Sequence, residues 1–288
     1  MPDIEFKPNT LLLLHFQDFV TPVDGRVLEL ELVEQHYGEH AHQVVVTHWP
    51  HDLASVYQGP VNLIEFSGQH YNLTQRLRRR WQEWKHVVDT PRTMAWQCLN
   101  GRTCPHRKRA VDVLQHWPNG VLSYGNEIAL PEWAYSTYRG TENDENFIRL
   151  AGVYGKCAVN IVTETQYDCY PGIITEKTIM AFAAQQVPVV IGHAGIVQHC
   201  KNLGFDMFED LVDTSYDTLP NSTRLEQALA LNQDLIQGKI DLAPYQQRLQ
   251  RNREYLLDGF LTWMENRFKR DCQRLAQDKL AIHFSTFP

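Results

Sequence analysis

Short apolar runs rich in β-formers alternate with longer helical patterns over most of this 288-residue chain, and that alternation admits few folds. A strand that runs into a helix and returns as a parallel strand covers both sheet faces with helices, which is α/β architecture. The first half offers three strands, Leu11 to Phe16, Gln43 to His48 and Val61 to Phe66. A helix over residues 73 to 88 follows, with Leu73, Leu77, Trp81, Trp84 and Val88 at the three- and four-residue spacing of one face.

A second run begins near Arg92, after the Asp89-Thr-Pro break. Met94 to Leu99, Val121 to Tyr124, Ala158 to Thr163 and Val187 to Ile191 read as strands. The spacing predicts helices over 107 to 117, from near Glu145, over Ile174 to Gln185, and over Ala194 to Leu203, where Gly204 stops the chain. Beyond Asn221 the pattern is wholly helical, in two segments interrupted around Gly238 to Pro244. The division expected is 1–90, 91–220 and a helical tail, 221–288, that crosses back to the first part. Two Rossmann-like halves with C-terminal helices suit a bilobal molecule with a cleft between domains.

Charge and composition narrow the function. With 34 acidic against 27 basic residues the net charge is −7, so nucleic acid would need a local basic patch. Nothing approaches the ~20 apolar residues that span a bilayer. Acidic Asp3 and Glu5 stand where a signal peptide would be basic. The six cysteines include no C-x-x-C pair, which suits free thiols in a reducing cytosol and a cytoplasmic protein. No Walker loop, G-x-G-x-x-G or G-x-S-x-G element occurs.

Two stretches carry chemistry. In Tyr170-Pro-Gly-Ile-Ile-Thr-Glu-Lys-Thr, Thr175 is an N-cap that puts Glu176 and Lys177 in the first turn of a helix. Free amides and the positive dipole end meet there, ready for an anion. A lysine at that point opposes the dipole unless a diphosphate sits beside it, and a carboxylate beside it can take hydrogen bonds from ribose hydroxyls. The other stretch is Cys98-Leu-Asn-Gly-Arg102, then Pro105-His106-Arg107, where arginine at a helix start can clamp phosphate oxygens. Each alone is an ordinary capped helix with solvated charges.

These stretches resemble the donor-binding region of the fucosyltransferase-like glycosyltransferases, including their short bacteriophage and giant-virus members. The counterparts are Leu99-Asn100-Gly-Arg102 with Pro105-His106-Arg107, Glu164-Thr165, Thr175-Glu176-Lys177, and Pro188-Val189-Val190 with Gly192. Leu203-Gly204-Phe205 and Asp213-Thr-Ser-Tyr216-Asp217 also look like the viral members. The likeness covers roughly residues 94 to 218; Thr165 stands where the family has Asn, and the N-terminal part shows no match.

The resemblance implies a GT-B-like fold, two Rossmann-like domains facing a cleft, with residues 1–90 on the acceptor side and 91–220 binding a nucleotide sugar. It implies an inverting hexosyl or pentosyl transferase acting on a glycan or similar hydroxyl acceptor. Arg107, with Arg102 as its alternative, and Lys177 would bind the pyrophosphate. Glu164, Tyr170, Thr175, Glu176, Gly192 and His193 would line the nucleotide and sugar pockets. No D-x-D element stands between strands, so no metal or other cofactor is expected, fixed cations taking that role. The general base should come from a strand end of the N-terminal half, with Glu65 first and Asp18 and His48 as rivals.

Other readings belong to different classes. Arg76, Arg78, Arg79, Arg80 and Lys85 interleave with Trp81 and Trp84, which could grip nucleic acid, but both tryptophans fall on the apolar stripe. A phage-type transferase acting on a hydroxymethylated DNA base, and a sugar- or nucleic-acid-binding protein without catalysis, are the alternatives. His36, Glu39, His40 and His42 cluster without a matched set elsewhere, so a polar loop is expected rather than zinc.

Overall fold

The computed structural model describes residues 10–15, 28–48, 57, 59–66, 68–135, 149–165, 167–168, 174–276 and 281–284. The chain divides into two compact units, one of Met1–Tyr71 with Thr262–Pro288 and one of Asn72–Leu261. Both are mixed α/β with parallel sheets. The expected helix from near Glu145 starts outside the described residues; a helix is described at Ala151–Lys156.

In the first unit, strands β1 (Thr10–His15), β2 (Val44–His48) and β3 (Asn62–Glu65) lie side by side in the order β3-β2-β1. The fourth strand corrects the reading of a wholly helical tail. β8 (Ala281–Phe284) pairs in parallel with β1, Leu11 opposite Ile282. Leu12, Leu14, Val44 and Val46 point to one face and pack with Leu30 and Val33 of helix α1 (Leu28–Tyr37). Val45 and Ile64 meet Phe66, Phe268 and Cys272 on the other. Alternate residues of one strand thus feed two core clusters, as the period of two requires.

The second unit holds β4 (Met94–Asn100), β5 (Gly120–Tyr124), β6 (Cys157–Thr163) and β7 (Val187–Ile191) in the order β5-β4-β6-β7, all parallel. All five residues of β7 are buried, the run of a strand covered on both faces. Pro188 is tolerated because β7 is an edge strand. The helix at Gly68–Val88 buries Leu77, Trp84 and Val88, while Trp81 lies under Arg253 at 4.6 Å. Those tryptophans are structural packing, and the exposed Arg78 pairs with Asp258.

The helices between Asn221 and Leu261 pack as part of this unit, whereas helix Leu261–Ala276 joins the core of the first through Phe268 and Cys272. Leu225, Ala228 and Leu229 of helix Arg224–Leu231 are buried, and that helix rests on β7. Arg92, read as the start of the second domain, is an internal brace: it donates to the carbonyls of Tyr154 at 2.5 Å, Gly155 at 2.7 Å and Ala184. Burial lowers its pKa to about 10. No helix among the described residues is long and apolar enough to cross a membrane.

Candidate functional site

From β4 the chain steps first to β5 on one side and then to β6 and β7 on the other. The strand order therefore reverses between β4 and β6, and in open α/β sheets ligands bind at such a reversal, beyond the carboxyl ends of the strands. Those ends are tied together. The Thr163 hydroxyl donates to Asn100 Oδ1 at 2.5 Å, and the amide of Asn100 reaches Ser123 Oγ at 3.1 Å.

Glu164 follows β6 directly and is fully buried. One carboxylate oxygen accepts the Thr175 amide at 2.9 Å and the Thr178 hydroxyl at 2.6 Å; the other accepts the Thr175 hydroxyl at 2.6 Å. Thr175 in turn is the N-cap of helix Glu176–Ala183, its hydroxyl accepting the Lys177 amide at 3.4 Å. A carboxylate at a helix start meets the positive dipole end and the unpaired amides there. Its charge is used to hold the Thr-Glu-Lys turn against the end of β6. Lys177 Nζ lies 3.0 Å from Glu176 Oε1, with its side chain 18% exposed.

The second segment is helix Pro105–Leu114, which follows β4. Its N-cap Cys104 makes no side-chain capping bond, and no acidic residue stands in the first turn. His106 is buried, its Nε2 at 2.9 Å from the Glu164 carbonyl and its ring stacked on Tyr167 at 4.7 Å. Arg107 is also buried. It donates to the carbonyls of Thr163 at 3.1 Å and Arg102 at 3.3 Å and to Thr165 Oγ1 at 3.2 Å, while its Nε has no hydrogen-bond partner among the described residues. All these acceptors are neutral.

A second buried guanidinium lies beneath β7. Arg224 donates to the Gly192 carbonyl at 2.5 Å, the Leu219 carbonyl at 3.0 Å and Asn221 Oδ1 at 2.6 Å, and lies 5.3 Å from the Tyr167 ring centre. Buried charge is costly unless paired, and these acceptors carry only partial charge. Two buried guanidinium groups, Arg107 and Arg224, thus lie near the carboxyl ends of β6 and β7, together with the buried carboxylates of Glu164 and Asp217. Burial pushes the Cys98 thiol up to about 11, while hydrogen bonds from Asn100 and Thr163 and the charges of Arg107 and Lys177 act to lower it.

Asp217 occupies another helix start. Its carboxylate accepts the amides of Val197 at 3.1 Å and Gln198 at 3.2 Å, capping helix Ile196–Asn202, and burial raises its pKa. Tyr216 beside it is buried and donates to the Val190 carbonyl at 2.9 Å. The Ser-Tyr-Asp segment thereby locks the turn after β7, where His193 bonds the Ala194 carbonyl through Nδ1 at 2.8 Å. Burial lowers the pKa of both His193 and His106.

Of the residues singled out in the sequence, Arg107, Glu164, Thr175, Glu176 and Lys177 gather around the ends of β4 and β6. Arg102 belongs through its carbonyl, and Gly192 and His193 follow the neighbouring β7. Glu65 and His48 are in the other unit, opposite one another at the carboxyl ends of β3 and β2. Asp18 and Tyr170 lie outside the described residues. Arg224, His106 and Thr178 were not singled out as site residues, and for Arg224 the only signal was its place in a helix taken for a tail. His40 and His42 bond Gln43 and the Glu39 carbonyl, and no group among the described residues is arranged to hold a metal. Comparison with protein-family models, curated proteins and solved structures finds no match.

Proposed function

We propose that the chain is a metal-independent, inverting glycosyltransferase that moves a sugar from a nucleoside diphosphate to an acceptor hydroxyl. The donor is taken by the Asn72–Leu261 unit, beyond the carboxyl ends of β4 and β6. The observation that carries this reading is Arg107, a buried guanidinium that, among the described residues, is held by neutral acceptors alone and has its Nε unpaired, beside the helix start that presents Lys177. Arg107 and Arg224 supply fixed positive charge and Lys177 an ammonium at the helix start. Glu164 and Thr175 hold that turn in place before any ligand arrives, so the developing charge of a leaving diphosphate meets dipoles already oriented.

In this reading the Met1–Tyr71 unit supplies the acceptor side in a GT-B-like arrangement, with Glu65 as the general base and His48 across from it on β2. Glu65 would take the acceptor proton as the acceptor oxygen attacks the anomeric carbon and the sugar–phosphate bond breaks. Donor hydrolysis and transfer by the purified protein test it. Lys177→Ala should weaken donor binding, and Glu65→Gln should lower turnover by about a hundredfold with binding kept. Donor binding without turnover on any acceptor would instead mark a non-catalytic binding protein.

A further inference from the structure

The four parallel strands of the second unit share an amino-terminal edge, opposite the strand ends described above, and a cavity of about 820 Å³ opens there. One side is formed by Met94 and Ala95 at the start of β4 and by Ala158 and Val159 in β6. Asn119 stands just before β5, and Gln185 two residues before β7. The other side is the loop at 237–242, after the short helix Gln233–Ile236. Gly238, at φ +75°, brings that loop against β4: a Cβ there would lie 3.1 Å from the Ala95 Cβ. β4 is seven residues long, so at ~3.3 Å per residue this edge lies about 20 Å from the carboxyl ends.

The chemistry of the lining is neutral. Three charged residues belong to it, and each is engaged: Arg92 donates to the carbonyls of Tyr154 and Gly155, Lys239 pairs with Asp234 at 2.8 Å, and the Asp241 carboxylate accepts the Ala243 amide at 2.9 Å. No aromatic ring among the described residues lines the cavity, so a nucleobase has nothing to stack on. What is left over is a set of neutral polar groups. The side chains of Thr93, Asn119, Gln185 and Gln237 make no hydrogen bond among the described residues. Backbone bonds nevertheless fix two of them: the Asn119 carbonyl accepts the Ala95 amide at 2.8 Å, and the Gln185 amide donates to the Phe182 carbonyl at 3.1 Å. Both have left-handed backbone, φ +58° and +52°, which L side chains rarely adopt. A side-chain amide offers both a donor and an acceptor, as a sugar hydroxyl does. Met94, Ile240 and Leu242 supply apolar surface for the C–H faces of a ring, Ile240 being 39% exposed.

We propose that this cavity is a second binding site, for an uncharged carbohydrate of one or two rings. Its volume falls within the range of about 300 to 1,000 Å³ that small-molecule pockets occupy. The free amides and the Thr93 hydroxyl pair with hydroxyls of the ligand, and no bond is made or broken. The site stands apart from the donor reading, because it uses the opposite strand ends and no residue assigned to the diphosphate.

Methyl NMR of the methionine side chains in the full chain reads the cavity through Met94, its signal assigned with Met94→Leu. The probes are glucose, galactose, mannose, N-acetylglucosamine and their disaccharides. One or more, at millimolar concentration, should shift the Met94 methyl saturably, in the unmodified chain and in Lys177→Ala alike. Asn119→Gly combined with Gln185→Gly removes both amides while glycine keeps the left-handed backbone, and should weaken binding by about tenfold or more. A Met94 methyl that no neutral saccharide moves overturns the proposal without recourse to any variant. So does full binding in a folded double variant, loss of the shift in Lys177→Ala, or a shift that glucuronate or a nucleoside diphosphate produces at lower concentration than any neutral sugar.

Discussion

Glu164 and Thr175 are joined twice, the two carboxylate oxygens taking the threonine's amide at 2.9 Å and its hydroxyl at 2.6 Å. One buried acid at the end of β6 thereby fixes the start of the helix that carries Lys177. The site's geometry depends on this contact more than on any surface charge.

Glu164→Gln keeps the shape but replaces one acceptor oxygen by an amide that can only donate, facing hydroxyls and an amide that also donate. The substitution should destabilise the protein by about 2–4 kcal/mol, measured by urea unfolding. Thr178→Val, which removes one of the three donors, should cost less, about 1–2 kcal/mol.

Gly120→Ala tests the packing beneath the site. A Cβ there would fall 1.8 Å from the Trp96 ring, which is buried with its indole N–H bonded to the Pro118 carbonyl at 3.0 Å. Neither β5 nor the ring has room to yield, so a loss of about 1–3 kcal/mol is expected in the same assay.

The pH dependence follows from His106 and His193, both held below the ordinary histidine value of 6.5 by burial. Below that value the unfolded chain binds protons that the folded chain does not, so stability is full above about 6.5 and falls as pH drops through the folded values. Unfolding free energy should therefore be lower at about pH 5 than at about pH 7.5, and His106→Asn should flatten part of the slope. A slope of opposite sign, or no change in the variant, would contradict the burial of a neutral ring.

Arg248 gives a second, separable acid response. It pairs with Asp206 at 2.7 Å and with Asp210 at 2.6 Å, and its hydrogen bonds hold the Asp206 carboxyl below its ordinary value of 3.8. The stability this adds is present above about 3.8 and lost as pH falls through the lowered value. Arg248→Met should lose stability at neutral pH and show a shallower further loss between about pH 4 and 2, read by urea titration at each pH.

The sheets were legible because their strands are apolar runs bounded by turns: β1 to β7 all fall on the runs marked in the sequence. The strand Ala281–Phe284 escaped because four residues with a histidine among them carry too little pattern, and only its pairing with β1 gives it a place. The helices after Asn221 read as a tail since nothing local says what an amphipathic helix covers; the apolar side of Arg224–Leu231 is filled by the second unit and that of Leu261–Ala276 by the first. In the site, Thr175 as N-cap was readable from its position before Glu-Lys. The partners of Glu164 were not, because an acid after a strand looks the same whether it faces a ligand or a helix start. Arg224 was hidden for a related reason. Its contacts with Gly192 and Tyr167 span 32 and 57 residues of sequence, and no local spacing encodes them.

The most direct test of a diphosphate site is the melting temperature of the full chain against a panel of nucleoside diphosphates. One or more should raise it in a dose-dependent way, by linkage, and Lys177→Ala and Arg107→Gln should each abolish the rise while remaining folded. A panel in which no nucleoside diphosphate moves the melting temperature, or a rise that both variants retain in full, would contradict a diphosphate at the ends of β4 and β6.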